Sequence, residues 1–230
     1  MTTYREIFTA RHTILPVIHV EGVDQAIRNA EIARQCGADG VFLINHSISH
    51  SELLSAVPAV RQRVGAWWIG VNCLDLIPES AFEKIGNDIS GLWADNARID
   101  ERSECQTAAE QVQAARIKSG WRGLYFGGVA FKYQRPVEDL EAAALLAAGF
   151  MDVVTTSGPG TGMSAQPEKI ATMKRALGTH PLAIASGITP ENVHEYLEVA
   201  DCFLVATGVS SSFTELDPIR LKKLIQNVRS

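Results

Sequence analysis

The chain has 230 residues, of which 46% are hydrophobic and 20% charged, and this ordinary usage excludes extensive disorder. The net charge of −5 comes without a basic run, so neither nucleic acid nor an anionic membrane surface is an expected partner. There is no secretory signal and no apolar stretch near the ~20 residues that span a bilayer, and the four scattered cysteines include no C-x-x-C pair. We therefore expect no membrane insertion, reduced thiols and a cytoplasmic protein.

Short apolar runs alternate along the chain with longer amphipathic segments. Most of these runs are continuous rather than alternating, which is typical of parallel strands covered on both faces. The predicted strands are Ile14–Val20, Gly40–Ile44, Trp67–Cys73, Gly91–Asn96, Gly123–Phe131, Asp152–Thr156, Leu182–Ser186 and Cys202–Thr207.

The segments between the strands carry helical periodicity. Thr189-Pro190 and Asp217-Pro218 each place a capping residue before a proline suited to the first helical position. The predicted helices are Val23–Cys36, Ser51–Val64, Glu79–Ile85, Thr107–Lys118, Val137–Ala148, Pro167–Leu177, Pro190–Val199 and Pro218–Val228.

Eight strands in strict alternation with eight helices predict an α/β fold, a single (β/α)₈ TIM barrel over residues 1–230. An open doubly wound sheet is the alternative, but it usually has fewer strands. No linker or charge run marks a second domain, and the segment Thr2–Thr13 is expected to plug or flank the barrel bottom.

The candidate site residues are the polar side chains that follow the strands, because the active sites of such barrels lie at the C-terminal ends of the strands. The catalytic candidates are Asp95, Lys132 and His19. The other pocket candidates are Asn45, His46, Asn72 and Asn96.

Two glycine turns predict phosphate-binding loops after strands seven and eight. They are Ser186-Gly187, followed by the predicted helix at Thr189-Pro190, and Thr207-Gly208. Glycine allows the backbone to approach an anion, and a helix start directs free N–H groups toward it. The alternative is that both glycines only form tight turns.

A third glycine-rich loop, residues 157–162, follows strand six. Its candidate ligand-binding residues are Ser157, Gly158, Gly160 and Thr161, which would cover a ligand or donate N–H groups to an anion. A flexible connector is the alternative interpretation of this loop.

Asp95 is the best candidate general base, because partial burial would tune its pKa upward. The alternative is a carboxylate that only accepts hydrogen bonds from loop N–H groups. Lys132 could bind phosphate, act as a general acid or form a Schiff base, whereas a surface lysine is the alternative.

Metal binding is weighed for four residues of suitable type, His19, His46, Asp75 and Asp95. No His-x-His or His-x-x-x-His spacing supports it. The sequence therefore assigns no metal ligand and no cofactor, and whether a divalent metal binds near these four residues stays open.

Several segments resemble one family, the BtpA/SgcQ barrels. They are Gly70–Leu74, Phe131–Tyr133, Thr156–Gly162 and Ala185–Val193, within a likeness that runs from about Asp24 to the C-terminus. The resemblance implies a phosphate-binding barrel, linked in cyanobacteria to photosystem I biogenesis and elsewhere to enzymes of unsettled substrate.

The segment Ser186–Asn192 also resembles the seventh-strand motif of phosphoribosylanthranilate isomerase and related phosphate-binding barrels. Three features depart from these patterns. The first is the loop after strand one, which is expected to be long and proline-rich and is shortened here to Val20-Glu21-Gly22. Gly127–Ala130 stand where BtpA-like chains usually have a polar fifth strand, and His19 stands where the isomerase has a cysteine.

Two functions of different class follow. The first is an enzyme acting on a phosphorylated sugar or nucleotide-like metabolite by isomerase, epimerase or lyase chemistry, with Asp95 as base and Lys132 as electrostatic stabiliser. The second is a non-catalytic barrel that serves as an assembly or ligand-sensing factor. The expected partner is a phosphorylated small molecule, and the oligomeric state, including a homo-oligomer, stays open.

Overall fold

Eight parallel strands close into one barrel in chain order, each strand pairing with the next and β8 with β1. The structure is a computed structural model and describes residues 2–230. The strands are β1 Thr13–Val20, β2 Gly40–Asn45, β3 Trp68–Asn72, β4 Gly91–Ala94, β5 Leu124–Gly128, β6 Val153–Ser157, β7 Leu182–Ala185 and β8 Cys202–Val205. The predicted (β/α)₈ barrel is confirmed.

Within the described residues 2–230, eight α-helices and two short 3₁₀ helices complete the fold. The α-helices are α1 Tyr4–Ile7, α2 Val23–Cys36, α3 His50–Val64, α4 Pro78–Lys84, α5 Thr107–Ser119, α6 Leu140–Ala147, α7 Pro167–Leu177 and α8 Pro218–Arg229. The 3₁₀ helices are Val193–Tyr196 and Thr207–Val209. Within residues 2–230, no helix is long and apolar enough to cross a membrane.

Two apolar layers explain why the strands are continuous runs. Along β2, Phe42 and Ile44 point into the barrel, whereas Val41 and Leu43 pack outward against the helices. Both faces of each strand are therefore buried, and successive side chains alternate between the two layers. The same alternation decides which strand-end side chains reach the barrel mouth.

The N-terminal segment closes the barrel bottom, as predicted. The Phe8 ring lies 5.4 Å from the Trp68 ring. Tyr4 is 3% exposed, and its hydroxyl hydrogen-bonds to Thr13 Oγ1 at 2.7 Å and to the carbonyl oxygen of Asp201 at 3.0 Å. These contacts join α1 to the start of β1 and to the residue before β8.

Replacing Tyr4 by Phe should lower the free energy of unfolding by about 1–2 kcal/mol, because it removes the buried hydrogen bonds that the hydroxyl makes to Thr13 and Asp201. Urea denaturation measures the change. Tyr133→Phe is the matched control, since Tyr133 is 81% exposed and its loss of a hydroxyl should leave stability unchanged. Equal stability of Tyr4→Phe and the wild type would contradict the attachment of α1.

The predicted helix Pro190–Val199 is wrong, because only the 3₁₀ turn Val193–Tyr196 forms there. Asn192 Oδ1 accepts the Thr189 N–H at 2.8 Å, and Thr189 Oγ1 accepts the N–H groups of Glu191 and Asn192. These side chains satisfy the backbone donors locally, which competes with an α-helical turn. No helix start at Thr189-Pro190 is therefore available to an anion.

Strand five is shorter than predicted and ends at Gly128 rather than Phe131. Ala130 has a φ of 49°, a left-handed conformation that ends an extended strand. The apolar residues Val129 and Phe131 are buried by packing after the strand, so their hydrophobicity does not mark its continuation.

Candidate active site at the barrel mouth

A cavity of about 250 Å³ opens at the C-terminal ends of the strands. Polar side chains from seven strand ends or following loops border it, and an apolar floor lies beneath them. The polar lining residues are His19, His46, Asp95, Lys132, Tyr133, Thr161, Ser186 and Thr207, and the apolar ones include Val17, Ile44, Trp93 and Leu204. All three catalytic candidates of the sequence therefore line one cavity.

Asp95 follows β4 directly and points toward this cavity. Asn72 Nδ2 donates to its Oδ1 at 2.9 Å. Burial raises the pKa of the Asp95 carboxyl, while the hydrogen bond from Asn72 and the charge of Lys132 oppose that rise. The carboxylate is thus held in place by one oxygen, in surroundings that strengthen it as a base.

Lys132 supplies a cation that forms no direct ion pair within the described chain. Its Nζ donates to Thr161 Oγ1 at 3.2 Å and to Ser186 Oγ at 3.4 Å. Among residues 2–230, no carboxylate oxygen lies within 4.0 Å of this nitrogen. The Lys132 backbone N–H donates to Ser157 Oγ at 2.8 Å, which fixes the start of the side chain. The ammonium group is available to an anion.

An aromatic group covers the side of the mouth formed by β1, β2 and the segment after β8. The Phe213 ring lies 4.1 Å from the His19 ring and 5.3 Å from the His46 ring. Burial, followed by the charges of His46 and Lys132, lowers the pKa of His19 to about 4, and burial also lowers the pKa of His46. Both rings are neutral at neutral pH.

His19 Nδ1 is buried and has no hydrogen-bond partner within the described chain. A buried polar atom without a partner costs free energy unless a ligand or water satisfies it. In a residue that lines the cavity, this atom is a candidate contact for a bound molecule.

The glycines of the two final loops allow close backbone packing. A Cβ on Gly187 would overlap the backbone of Met163 and Ser164, and one on Gly208 would overlap the Ile188 carbonyl oxygen. Ser186 and Gly187 both have positive φ angles, 76° and 73°. The loops after β6, β7 and β8 therefore touch one another through these glycines.

Two backbone N–H groups in these loops, those of Gly187 and Gly208, lack hydrogen-bond acceptors within the described chain. Ser186 and Thr207 beside them line the mouth. Glycine packing thus leaves two unpaired donors next to the cavity.

Two of the pocket candidates predicted from the sequence, Asn45 and Asn96, lie outside the mouth. Asn45 faces outward from β2, where its Nδ2 donates to Asp75 and to the carbonyl of Ile48. Asn96 is exposed, and its Oδ1 accepts the Arg98 N–H. Neither side chain borders the mouth, whereas Asn72 lies behind Asp95 and holds it.

The residues of the glycine-rich loop after β6 divide between two places. Thr161 borders the mouth, whereas Ser157 and Gly158 line a second cavity on the same face. Gly160 borders neither cavity, and a Cβ there would press against Met163. The loop therefore contributes one side chain to the mouth, Thr161.

Of the four residues weighed as metal ligands, His19, His46 and Asp95 border the mouth, whereas Asp75 lies apart from them. Asp75 binds Asn45 and His50 instead, with His50 Nδ1 2.9 Å from its Oδ2. Although burial opposes it, these hydrogen bonds lower the pKa of Asp75 to about 2. Within residues 2–230, no three His, Cys, Asp or Glu side chains are arranged so that they could hold a metal ion.

Sequence reasoning did not select Phe213 or Lys169. Phe213 is an exposed aromatic in the loop after β8, and nothing in its neighbours marks it as part of a site. Lys169 lies in the first turn of α7, where a lysine ordinarily faces solvent. Only the folded chain shows that Phe213 packs on His19 and that Lys169 reaches the ends of β5 and β6.

No family model matches the chain. A curated relative, an uncharacterised protein of Pyrococcus abyssi, is 23% identical over an alignment of 219 residues that covers 88% of this chain and 84% of the relative.

Solved structures share the barrel. The (S)-3-O-geranylgeranylglyceryl phosphate synthase of Thermoplasma acidophilum, in complex with sn-glycerol-1-phosphate, has a TM-score of 0.69 at 17% identity over 100% of this chain and 99% of its own. The phosphoribosyl anthranilate isomerase of Thermus thermophilus has a TM-score of 0.65 at 14% identity, covering 94% and 98%. The thiamine phosphate pyrophosphorylase of Pyrococcus furiosus has a TM-score of 0.65 at 15% identity, covering 95% of both chains. At these identities the likeness establishes the fold, a TIM barrel, and the chemistry has to be argued from the site.

Proposed function

We propose that this protein is an enzyme that acts on a small phosphorylated metabolite, a sugar phosphate or a nucleotide-like compound. The phosphate binds to the loops after β7 and β8, at the amides of Gly187 and Gly208. Asp95 is the general base, and Lys132 stabilises negative charge. Isomerisation, epimerisation and C–N or C–C bond cleavage all use this set of groups.

The observation that carries the proposal is the convergence of Asp95 and Lys132 on one small cavity that the β7 and β8 loops also border. A carboxylate with one free oxygen and an ammonium group without a counter-ion are the two charges that proton transfer next to a carbonyl requires. The neutral His19 and His46 add groups that can donate or accept a hydrogen bond without adding charge.

The fold likeness supports the same class of substrate. The synthase and the isomerase named above act, by their names, on phosphorylated compounds, and the synthase was solved with sn-glycerol-1-phosphate. The binding energy of a remote phosphate would orient the reacting end of the substrate against Asp95.

The closer affiliation that we propose is with the BtpA/SgcQ barrels, on the motifs of the loops after β6 and β7. The replacement of the usual polar fifth strand by Gly127–Ala130 is the sequence feature that favours a non-catalytic role. Close packing explains why glycines stand at these positions, because a Cβ on Gly128 would overlap the Asp95 carbonyl and one on Gly127 would overlap Met151. These glycines let β5 lie against the Asp95 segment, so they do not favour a scaffold.

Replacing Lys132 by Met should weaken the binding of inorganic phosphate by about 10- to 100-fold. Its Nζ lies beside Ser186, next to Gly187, where it would also donate to the bound ion, and a hydrogen bond to a charged group is worth about 1.5–3 kcal/mol. Calorimetric titration measures the affinity, and crystals soaked in phosphate locate the ion. Lys84→Met, on the exposed surface of α4, is the matched control and should bind as the wild type does.

Phosphate on the Gly187 and Gly208 amides supports the proposed site. If phosphate binds only to surface side chains, or if the Lys132 variant binds it as tightly as the wild type, the proposed function is wrong. Mass spectrometry of compounds retained by the purified protein then identifies the substrate to be used in activity assays.

A further inference from the structure

A second cavity of about 550 Å³ lies beside the mouth, between the segment after β5 and the segment after β6. It is on the same face of the barrel, and Lys132 and Tyr133 line both cavities. These two side chains therefore form the boundary between the two spaces.

The lining of this second cavity is basic. Among its described lining residues are three cations, Lys132, Arg135 and Lys169, and no carboxylate. Arg135 is compensated elsewhere, because its guanidinium binds Asp100 at 2.6 Å and also Glu101. Lys132 and Lys169 are left without a carboxylate partner, in a chain whose formal net charge is −5.

Lys169 is held in a defined position by backbone oxygens. Its Nζ donates to the carbonyl of Ala130 at 2.5 Å and to that of Ser157 at 2.7 Å. An ammonium group has three donors, so one N–H remains for a ligand. Burial lowers the pKa of Lys169 to about 8. Such a lowering is expected where no neighbouring negative charge compensates a buried ammonium group.

We propose that the second cavity is a subsite for an anionic group, a phosphate or a carboxylate, that binds to Lys169. The inference rests on the proposed function and narrows its substrate to a compound with two anionic groups. One group lies at the Gly187 and Gly208 loops, and the other lies beside Lys169, past the boundary that Lys132 and Tyr133 form.

A purely structural lysine is the competing explanation. Lys169 joins the ends of β5 and β6, so its loss would disturb the neighbouring Lys132 even if no ligand ever bound to it. The two explanations differ in how Lys169 responds to an anion, because a structural tie does not require one.

Two probes, inorganic phosphate and acetate, test the subsite in titrations and in soaked crystals. We expect an ion beside Lys169 in the wild-type protein, and an affinity at that position about 10- to 100-fold weaker in Lys169→Met. Lys169→Arg, which keeps the charge, should retain binding. Lys222→Met, on the exposed face of α8, is the matched control and should not change it.

The probes also identify the anionic group. Binding of phosphate alone at Lys169 indicates a second phosphate, and binding of acetate alone indicates a carboxylate. An empty second cavity in both soaks, with equal affinities for wild type and Lys169→Met, would overturn the subsite.

Chemical labelling of the wild-type protein removes the dependence on a variant that folds. Acylation of lysines, followed by peptide mass spectrometry, should show that the bound anion protects Lys169 several-fold and leaves Lys222 unprotected. Unchanged labelling of Lys169 at saturating phosphate and acetate would likewise overturn the subsite.

The outcome for the subsite is separable from the outcome for the proposed function. An anion beside Lys169, with none at Gly187 and Gly208, supports the second cavity and contradicts the proposed phosphate loops. An anion at Gly187 and Gly208 alone supports the proposed function and contradicts the subsite.

Discussion

Replacing Asp95 by Asn should lower the turnover of the phosphorylated substrate by about 10²–10⁴-fold, the usual contribution of a general base. The amide has nearly the same shape, and its oxygen can still accept the hydrogen bond that Asn72 donates to Oδ1. The variant therefore removes the proton acceptor and keeps the geometry. Phosphate affinity should stay near that of the wild type, because the Gly187 and Gly208 loops are untouched. Steady-state kinetics and a phosphate titration measure the two quantities.

The pH dependence of the free energy of unfolding reports on the burial of the Asp95 carboxyl. Burial raises the pKa of Asp95, so the folded state disfavours the ionised carboxyl. A raised pKa contributes stability below the pKa of the unfolded chain, and this contribution is lost as the pH rises through the folded pKa. Asp95→Asn should therefore gain stability relative to the wild type as the pH rises, which urea denaturation at several pH values checks.

The matched control is Asp75→Asn, at the end of the neighbouring strand. The pKa of the Asp75 carboxyl is shifted in the opposite direction, because its hydrogen bonds lower it although burial opposes them. This variant should lose stability above the unfolded pKa and keep its turnover, since Asp75 does not border the mouth. An Asp95 variant that unfolds early and turns over normally would end the proposal that Asp95 is the base.

The barrel was predictable because both faces of its strands are buried. The continuous apolar run of β2 could be located from hydrophobicity alone, and its predicted ends fell within one residue of those observed. The missing helix after β7 was not predictable in the same way. Thr189-Pro190 has the composition of a helix start, and the competing hydrogen bonds of Asn192 arise only in the folded loop.

The candidate site was partly predictable from strand ends and strand alternation. His19 and His46 continue the inward-facing series of β1 and β2 and line the mouth. Asn45 belongs to the outward series of β2, so alternation could have excluded it. Phe213 and Lys169 come from a loop and a helix, where no strand register relates sequence position to direction. Their contribution depends on tertiary contacts that periodicity does not encode.

Acidification should destabilise the protein through His19. Burial, with help from His46 and Lys132, lowers the pKa of this imidazole from 6.5 to about 4. A histidine with a lowered pKa contributes stability that is fully present above the unfolded pKa and is lost as the pH falls through the folded one. The shift from 6.5 to about 4 corresponds to about 3 kcal/mol over that window. His19→Gln lacks this titration, so its stability relative to the wild type should rise by about 3 kcal/mol on acidification from above pH 6.5 to about 4.

A variant of Phe213 tests the lowered pKa of His19 in a second way, because the Phe213 ring lies 4.1 Å from the His19 ring and keeps water from it. Phe213→Ala should expose the imidazole, raise the pKa of His19 toward 6.5 and reduce the loss of stability in acid. Nuclear magnetic resonance of the histidine ring carbons follows the titration directly, and urea denaturation follows the stability. A His19 that titrates near 6.5 in the wild-type protein would contradict its burial beneath Phe213. A bound substrate that hydrogen-bonds to the unpaired Nδ1 should shift the pKa of His19. The reason is that a hydrogen bond to either form of the imidazole changes its pKa. Such a shift would place the ligand next to His19.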